Sequence, residues 1–596
     1  MRRFLQPGEW RSAPSLIVMG VLIAYPLGAL LLQIAFPHVF GVQMNWRPSL
    51  ATVRSVFTNP INLQAVADSL GIGAAAAVLS VLIGVVTAVG STAAPRRAAR
   101  IIEGGVWAVF FTPSYVVASG WLLLLQPGGL LQQLTGLPPT AFNWFFSPVG
   151  LLLVMGLRYF PFTHFAVKQA ITNMSPSLIE AARMLGARKW DVARRIWLPL
   201  LAPAIFAGAS ISFADGFGDF GLAAAIAPQM QIPLVSYQIY SSLYETPVNF
   251  SSAAGLALIV VAVTGGALWL QFWWLGRRAY WTVSGSRRTT PAKTARVTLL
   301  TGLCAAIVGL AVILPTGATI VQSLFNSPTA GFSLSNIGFN AYASLVTGSQ
   351  NDLTALLRSI QYAVAAAVAT ALLALFVAQQ MTFHKSFASR LLNTLTMSTV
   401  AVPGVVLAAG FVFAWNARWL IPLHLVLYGT PLCLGLAFIA GQLPYGIRLQ
   451  LGALSQIQPN LLTAAQLLGA RQRAIVRSIV MPLIRETVIT TFLLTLTGVI
   501  FELPAASLLY PAGQPPFAVV VQQKFNSFLW SQGSALTLIG MTCVLAIYLG
   551  GNALIRRFLR GPAATAVAPA TEAETVDPQP AAADRRHAAT SIRAQE

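Results

Sequence analysis

Charged residues are scarce in this chain of 596 residues. They make up 9% of the sequence, whereas hydrophobic residues make up 56%. A soluble domain has about 25% charged residues, so a soluble multidomain enzyme is excluded. The 37 Lys and Arg residues outnumber the 16 Asp and Glu residues, but they form short clusters between apolar runs. This pattern is typical of membrane-protein loops, so no nucleic-acid partner is expected.

Motifs for catalysis, cofactors and metals are also lacking. The three cysteines, Cys304, Cys433 and Cys543, lie in apolar stretches without metal-ligand spacing, which argues against a disulfide framework or a zinc site. The sequence has no Gly-x-x-x-x-Gly-Lys-Ser/Thr phosphate loop, so the chain should not bind ATP through that motif. We therefore expect no catalytic residue, metal site or cofactor in this chain, which is interpreted as a non-enzyme.

What the sequence does contain is a series of long apolar runs. About 20 apolar residues suffice for a helix to cross the hydrocarbon core of a membrane. Twelve runs approach or exceed this length, near 16–36, 69–93, 104–125, 148–170, 199–227, 252–276, 297–325, 359–381, 391–415, 424–447, 483–511 and 533–555. The chain is therefore predicted to be an all-α integral membrane protein with about twelve transmembrane helices and lipid as its surroundings.

The basic residues mark one side of the membrane. Clusters of Arg and Lys follow each even-numbered run, whereas residues 126–147 carry no charge and residues 228–250 carry only Glu245. Because Lys and Arg are enriched in cytoplasmic loops, this pattern predicts that both termini are cytoplasmic. It also favours an even number of spans.

Two polar segments divide the chain. Residues 277–296 are basic and poor in apolar residues, and are interpreted as a cytoplasmic linker between two six-span halves, 1–276 and 297–560. Residues 561–596 are rich in Ala, Pro, Thr and charge. They have too little apolar surface to fold, so they are predicted to form a disordered cytoplasmic tail.

The two halves are related by an internal repeat. When the sequence is shifted by 283 positions, the segment Leu185-Gly-Ala-Arg188 coincides with Leu468-Gly-Ala-Arg471, and Pro199-Leu200 coincides with Pro482-Leu483. The match is strongest in a polar loop, where apolar composition cannot produce it. Because each half has six spans, the halves run in the same direction, as a parallel repeat with a pathway between them.

The repeated loops, about 173–199 and 456–482, are predicted to be helix–turn–helix segments on the cytoplasmic face. Good helix formers precede Gly186, and glycine can take the left-handed conformation that ends a helix. A second helix can follow, and Pro199 lies near the start of the next span, where its missing N–H costs little. Small residues in a charged loop would let another protein approach closely.

At these residues the sequence resembles the permeases of ABC importers. Their EAA motif has Glu-Ala-Ala, then Gly six, Ile sixteen and Leu-Pro eighteen and nineteen residues after the Glu. In that family the loop is a coupling helix that docks on a cytoplasmic ATPase. The resemblance implies coupling roles for Glu180, Ala181, Ala182, Gly186, Ile196 and Pro199, and in the second copy for Thr463, Ala464, Ala465, Gly469, Ile479 and Pro482. The second copy has Thr463 where Glu is expected, which implies weaker or asymmetric docking.

A fused pair of halves resembles the ferric-iron permease group, whose relatives include thiamine, phosphonate and polyamine permeases. Phe501-Glu-Leu-Pro-Ala505 and Leu443-Pro-Tyr-Gly-Ile-Arg448 are similar to segments of that group. The resemblance implies a multi-pass protein of the bacterial inner membrane. Its partners would be a cytoplasmic ATPase, as a dimer, and a periplasmic or extracellular solute-binding protein. Ferric iron is the expected substrate, and the related solutes and an ion-driven secondary transporter are the alternatives.

Few acidic residues lie within the apolar runs. Asp215 and Asp219 follow the first coupling loop, and Glu502 follows the second, where the repeat places it opposite Asp219. A charge at a helix centre costs roughly 2.5–3.5 kcal/mol, so it usually faces a cavity or a partner. These carboxylates are candidates for lining or gating a cation pathway. The alternatives are a structural hydrogen bond or a position at the outer water interface. Nearby Gly216, Gly218 and Pro504 should permit a hinge.

Overall fold

The computed structural model describes residues 13–40, 45–174, 176–276, 295–327, 330–347, 352–383 and 386–559. Within these residues the regular elements are helices, and one isolated antiparallel bridge joins Phe325 to Ile337. The predicted all-α fold is confirmed. The linker at 277–296, apart from its last two residues, and the tail at 561–596 lie outside the described residues, so both stay predictions.

The first half contains helices on every predicted span. Its elements, with π and 3₁₀ segments marked, are Ala13–Met19, Gly20–Ala24 (π), Tyr25–Ala35, Ala51–Thr58, Pro60–Ala93, Arg96–Phe111, Ser114–Leu125, Leu130–Thr135, Pro139–Phe146 (3₁₀), Pro148–Asn173, Pro176–Met184, Lys189–Val192, Ala193–Trp197 (π), Leu198–Gly218, Phe220–Met230, Val235–Tyr244 and Phe250–Gly276.

The second half follows the same order. Its elements are Ala295–Val308, Gly309–Ile313 (π), Leu314–Ser323, Leu334–Asn336 (3₁₀), Asn340–Thr347, Asp352–Phe383, Phe387–Val400, Gly404–Trp415, Arg418–Leu423 (3₁₀), Pro431–Leu454, Pro459–Leu467, Gln472–Ile475, Val476–Val480 (π), Met481–Ile500, Pro504–Leu509, Phe517–Asn526 and Trp530–Leu559. The π segments recur at matching places in both halves.

The number of spans agrees with the sequence. Eleven helices of the described residues are long and apolar enough to cross a membrane, and the pair Phe387–Thr399 and Gly404–Trp415, bent by 113°, makes a twelfth. We number the spans one to six in each half. The side that carries the coupling loops is called the loop side, and the opposite side the far side.

Two predicted spans are not continuous, which corrects the sequence interpretation. The runs 199–227 and 483–511 were expected to be single helices, but the fifth spans end at Gly218 and Ile500. The backbone leaves the helical region at Asp219, with ψ of 113°, and a short helix follows from Phe220. In the second half a short helix begins at Pro504, and proline suits the first turn of a helix.

The third spans are broken as well. The predicted run 104–125 divides between Phe111 and Ser114, and the run 391–415 divides between Val400 and Gly404. Each break contains a proline, Pro113 or Pro403, which lacks an amide hydrogen. Proline also disfavours the helical region for the residue before it. Apolar composition reveals these runs but does not distinguish a straight helix from a bent pair.

Each half is built on the same three long helices. In the first half Pro60–Ala93 packs against Pro148–Asn173 and Leu198–Gly218. A Cβ atom added at Gly208 would lie 2.6 Å from the Cα atom of Thr163, so these helices approach closely at small residues. Close approach is how membrane helices gain packing energy, since lipid provides little hydrophobic drive.

The halves interlock through their first spans. A Cβ atom at Gly120, in the third span of the first half, would lie 2.5 Å from the carbonyl oxygen of Pro315 in the second half. In the reciprocal contact, a Cβ atom at Gly410 would lie 2.8 Å from the carbonyl oxygen of Pro26. The first span of each half therefore packs against the third span of the other half. The two contacts follow the pseudo-twofold relation of the repeat.

Candidate functional site

The two coupling loops have the predicted turn. Gly186 has φ of +81° and Gly469 has φ of +79°, so the left-handed conformation expected at these positions is confirmed. The helix before each glycine is closed by a backbone hydrogen bond of 3.0 Å, from Ala187 N–H to the carbonyl oxygen of Ala182 in the first loop. The bond spans five residues, as in a Schellman motif. One of the motif alanines thus supplies the carbonyl that caps the helix.

The tips of the coupling loops expose apolar side chains that sequence reasoning did not single out. Met184 and Leu185 are both 88% exposed, and their repeat equivalents Leu467 and Leu468 are 84% and 88% exposed. Clustered exposed apolar residues are a feature of protein-interaction surfaces. The signal was present in the sequence, because the pair recurs directly before each glycine.

The remaining motif positions are mostly exposed or half-buried around these tips. Glu180, Ala181, Thr463 and Ala464 are exposed, whereas Ala182, Ala465, Ile196 and Ile479 are half-buried.

Each loop is continuous with its fifth span. Ile196 and Ile479 lie in the π segments, and Pro199 and Pro482 follow in the first turn of the span. A π segment inside a helix is rare and often functional. In both halves the π segment therefore joins the coupling loop directly to the fifth span.

Asp219 lies at the far end of the fifth span of the first half, where its side chain connects three elements. Its carboxylate caps the helix from Phe220 by accepting a hydrogen bond from the Leu222 N–H at 3.0 Å. It also accepts bonds from the Ser114 hydroxyl, at 2.8 Å, and from the Tyr159 hydroxyl. The carboxylate thus ties the fifth span to the third and fourth spans, which is the structural alternative stated for this residue.

Glu502 has the same capping role with different neighbours. Its carboxylate accepts hydrogen bonds from the N–H groups of Ala505, at 3.1 Å, and Ala506, at 3.4 Å. Gly404 begins the helix after the Pro403 break, as Ser114 begins the helix after the Pro113 break. Gln442 stands 283 positions after Tyr159. The two acids are therefore equivalent as helix caps, but the side chains that hold Asp219 have no counterparts of the same chemistry around Glu502.

The two halves meet where the fifth spans end. A Cβ atom on Gly218 would overlap the ring of Pro403, which lies in the break of the opposite third span. Phe501, the repeat equivalent of Gly218, faces Tyr115 beside the other break, with ring centroids 6.4 Å apart. These reciprocal contacts bring the halves together on the far side of Asp215.

Asp215 has a different setting from the two capping acids. It is exposed, although it lies one turn before Asp219 inside a span. It interacts electrostatically with Arg158 of its own half and with Tyr445 of the other half, whose side chain is 61% exposed. Asp215 and Tyr445 therefore line an accessible gap between the halves, on the loop side of the contact between Gly218 and Pro403.

A guanidinium group, that of Arg158, interacts electrostatically with Asp215. The Nε and Nη1 atoms of Arg158 are buried without a hydrogen-bond partner in the described part of the chain. Among the same residues, no group of three or more His, Cys, Asp and Glu side chains is placed to hold a metal ion. The arrangement places charged groups of opposite sign, Asp215 and Arg158, close to each other.

Comparison with known proteins identifies the family. The model of the family described as binding-protein-dependent transport system inner membrane component matches residues 80–273 and again residues 370–561. The chain belongs to this family. The double match confirms the internal repeat, and the resemblance to a fused ABC importer permease is confirmed with it. The protein is thus a permease component of an ABC importer, with many membrane-spanning helices.

Several individual relatives are also similar. A protein of Haemophilus influenzae, provisionally named a ferric transport system permease protein, is 25% identical over 477 residues, which are 77% of this chain and 73% of the relative. A ferric transport system permease protein of Actinobacillus pleuropneumoniae is 25% identical over 73% of this chain and 64% of the relative. The molybdenum transport system permease protein of Escherichia coli is 33% identical over 26% of this chain and 69% of the relative.

Proposed function

We propose that this permease imports ferric iron across the bacterial inner membrane, with both termini in the cytoplasm. The observation that supports ferric iron as the substrate is the extent of the similarity to relatives with ferric names. The relatives with ferric names align with 77% and 73% of the chain, and therefore with both halves. The molybdenum relative of Escherichia coli aligns with 26% of the chain, and a probable molybdenum relative of Haloferax volcanii aligns with 45%.

A molybdenum-containing substrate is the second candidate, because the Escherichia coli relative has the higher identity of 33%. The charges of the pathway bear on this choice. Asp215 faces the gap between the halves, and its negative charge favours a cation over an anion. Arg158 opposes this preference, but its guanidinium is more buried than the carboxylate of Asp215.

The proposed coupling uses the two loop tips. A cytoplasmic ATPase dimer would cover Met184 and Leu185 on one loop and Leu467 and Leu468 on the other, which removes exposed apolar surface from water. The π segments connect these loops to the fifth spans, whose far ends hold the halves together. Movement of the loops towards each other would therefore be transmitted to the contacts at Gly218 and Phe501.

The proposed pathway opens by alternating access. In the present conformation the gap at Asp215 is accessible while the reciprocal contacts close the far side, which corresponds to an inward-facing state. A solute-binding protein would deliver the ion on the far side after ATP drives those contacts apart. The chain itself contributes the path and the coupling, and the ATPase contributes the energy.

The test is transport by the reconstituted complex. The permease is placed in proteoliposomes with the ATPase and the solute-binding protein encoded beside it. We expect uptake of radioactive iron that requires both ATP and the binding protein, with no competition from molybdate. Uptake of molybdate in place of iron would refute the proposed substrate, and iron uptake that continues without the ATPase would refute the proposed coupling.

A further inference from the structure

Four tyrosines and one carboxylate, contributed by both halves, meet on the far side. Tyr237, Tyr240 and Tyr244 are three and four residues apart on one helix and so share a face, with ring centroids 5.9 and 5.0 Å apart. Tyr510 comes from the second half, and its hydroxyl shares a hydrogen bond with Tyr244. Glu245 interacts electrostatically with Tyr237 and Tyr240. We call these five residues the tyrosine cluster.

The tyrosine cluster is accessible from the far side. Tyr244 is 54% exposed and Glu245 is exposed, while the other three members are half-buried. Tyr428, from a loop of the second half, interacts with Tyr510 and is 40% exposed. Glu245 is also the only charged residue between positions 228 and 250, so the negative charge of this loop is placed at the cluster.

The repeat shows that the fold does not require these tyrosines. The Val235 N–H donates to the Ser69 hydroxyl at 2.9 Å, and the Phe517 N–H donates to the Ser359 hydroxyl at 2.8 Å, so Val235 and Phe517 are equivalent. This equivalence places three other residue types opposite the tyrosines of the helix: Val519, Gln522 and Asn526. The second half forms the same helix without a phenol at any of these positions.

An aromatic belt at the lipid headgroups does not explain the cluster either. In such belts the amphipathic side chains face the membrane interface. Here the hydroxyl of Tyr244 is hydrogen-bonded to the hydroxyl of Tyr510 in the opposite half. The Gln523 side chain forms a second hydrogen bond with the Tyr510 hydroxyl. The phenol groups therefore meet between the halves, on the far side of the contacts at Gly218 and Phe501.

The chemistry of the cluster favours a trivalent ion. The ordinary pKa of a tyrosine phenol is about 10, so these phenols are neutral at pH 7. Neutral phenols bind sodium or calcium weakly. A strongly Lewis-acidic cation can displace the phenolic protons, as bound metal ions do for other ligands, and the resulting anionic oxygens suit a hard ion.

We propose that the tyrosine cluster is an oxygen-donor binding site for ferric iron at the outer entrance between the two halves. The site rests on the proposed function, because it receives the substrate before the far-side contacts open. Each phenol that coordinates the ion releases one proton to solvent, and the iron keeps its oxidation state. Glu245 supplies a carboxylate oxygen that carries its charge without proton release.

The experiment measures metal binding by the purified full-length chain in detergent, without ATPase or binding protein. The probes are Fe³⁺ and Ga³⁺ supplied as weak chelates, with Mn²⁺ as the divalent comparison. We expect one Fe³⁺ per chain, a visible phenolate-to-iron charge-transfer band, and affinity that increases with pH because protons compete with the metal. Ga³⁺ should displace the iron, and Mn²⁺ should not.

The decisive variant is Tyr240→Phe with Tyr244→Phe and Tyr510→Phe. It keeps the three rings and should weaken binding by more than about tenfold, since even outer-shell changes at metal sites cost roughly 10–100-fold. Tyr240→Phe alone leaves the hydrogen bond between Tyr244 and Tyr510 in place, and should still weaken the band. Tyr548→Phe, which removes a phenol that packs on Phe111, is the matched control.

Each outcome separates the site from the function. Absence of an Fe³⁺ band in the unmodified chain, or equal binding by the triple variant, overturns the site even if iron is transported. A band that the triple variant loses, combined with molybdate uptake in the reconstituted complex, overturns the substrate and leaves a trivalent-cation site. A triple variant that binds like the Tyr548→Phe control shows that the iron is held elsewhere.

Discussion

Gly218 of the first half lies against Pro403 of the second half so closely that position 218 has no room for a side chain. The contact joins the end of one fifth span to the break of the opposite third span. Its counterpart, Phe501 against Tyr115, fills the equivalent place with two rings. The closure thus has the pseudo-twofold geometry of the repeat but different side chains on its two sides.

The first prediction concerns this contact. Gly218→Ala forces the Pro403 ring away, and overpacking of this kind typically costs 1–3 kcal/mol. We expect lower thermal stability and a leak of small cations through proteoliposomes in the absence of ATP. Gly265→Ala, in the sixth span where a Cβ atom meets open space, is the control. Unchanged stability and a tight membrane in Gly218→Ala would show that the halves are not closed at this point.

The second prediction concerns the turns of the coupling loops. Valine in the left-handed region costs roughly 1–2 kcal/mol, which corresponds to about a tenfold loss of the competent conformation in each loop. The double variant Gly186→Val with Gly469→Val should therefore lose most of its co-purifying ATPase and most of its transport. Asparagine tolerates this region, so Gly186→Asn with Gly469→Asn should retain both. Normal association of the valine variant would contradict the docking role of these turns.

The third prediction concerns the asymmetry of the two loops. Glu180 and Thr463 occupy equivalent exposed positions, but only the first carries a charge. Glu180→Ala should impair transport more than Thr463→Ala when expression is matched, because only this change would remove a charge from the proposed ATPase-docking surface. Thr463→Glu, which restores the family pattern, tests the same idea in reverse and should strengthen association. Equal losses in the two alanine variants would indicate symmetric docking.

The sequence predicts the parts of this molecule that depend on local pattern. The number of spans follows from the apolar runs, and the turns at Gly186 and Gly469 follow from the conformational freedom of glycine and its recurrence in the repeat. The breaks at Pro113 and Pro403 were missed, although the prolines were visible, because membrane helices often tolerate proline when neighbours satisfy the freed carbonyls.

The geometry between the halves could not be predicted in the same way. The contact of Gly218 with Pro403 joins residues far apart in the chain, and each lies in an apolar stretch with several other glycines or prolines. Likewise, sequence spacing identified Asp215, Asp219 and Glu502 as acids within apolar runs but could not separate them. Asp219 and Glu502 lie just before the start of a short helix, where free N–H groups can be capped. Asp215 lies inside the fifth span, so its role differs.

The fourth prediction separates these acids. Asp215→Asn keeps the volume and removes a charge that faces the gap, so the complex should assemble normally while iron flux per assembled complex decreases. Asp219→Asn replaces a carboxylate oxygen that accepts hydrogen bonds, and bonds to charged groups are worth about 1.5–3 kcal/mol. We therefore expect it to lower thermal stability and yield, and Tyr159→Phe should reproduce part of this loss. Glu502→Gln retains one acceptor for the capping N–H groups and should have a smaller effect on stability.

The measurement is flux normalised to assembled complex, together with the melting temperature of each variant. If Asp219 and Glu502 line the pathway, as their equivalent positions first suggested, the double variant Asp219→Asn with Glu502→Gln should lose normalised flux at unchanged stability. Loss of stability with normal flux per folded molecule assigns them to the hinge instead. Full normalised flux in Asp215→Asn would remove the remaining carboxylate from the pathway, and selection for a cation would then have to come from the far-side entrance.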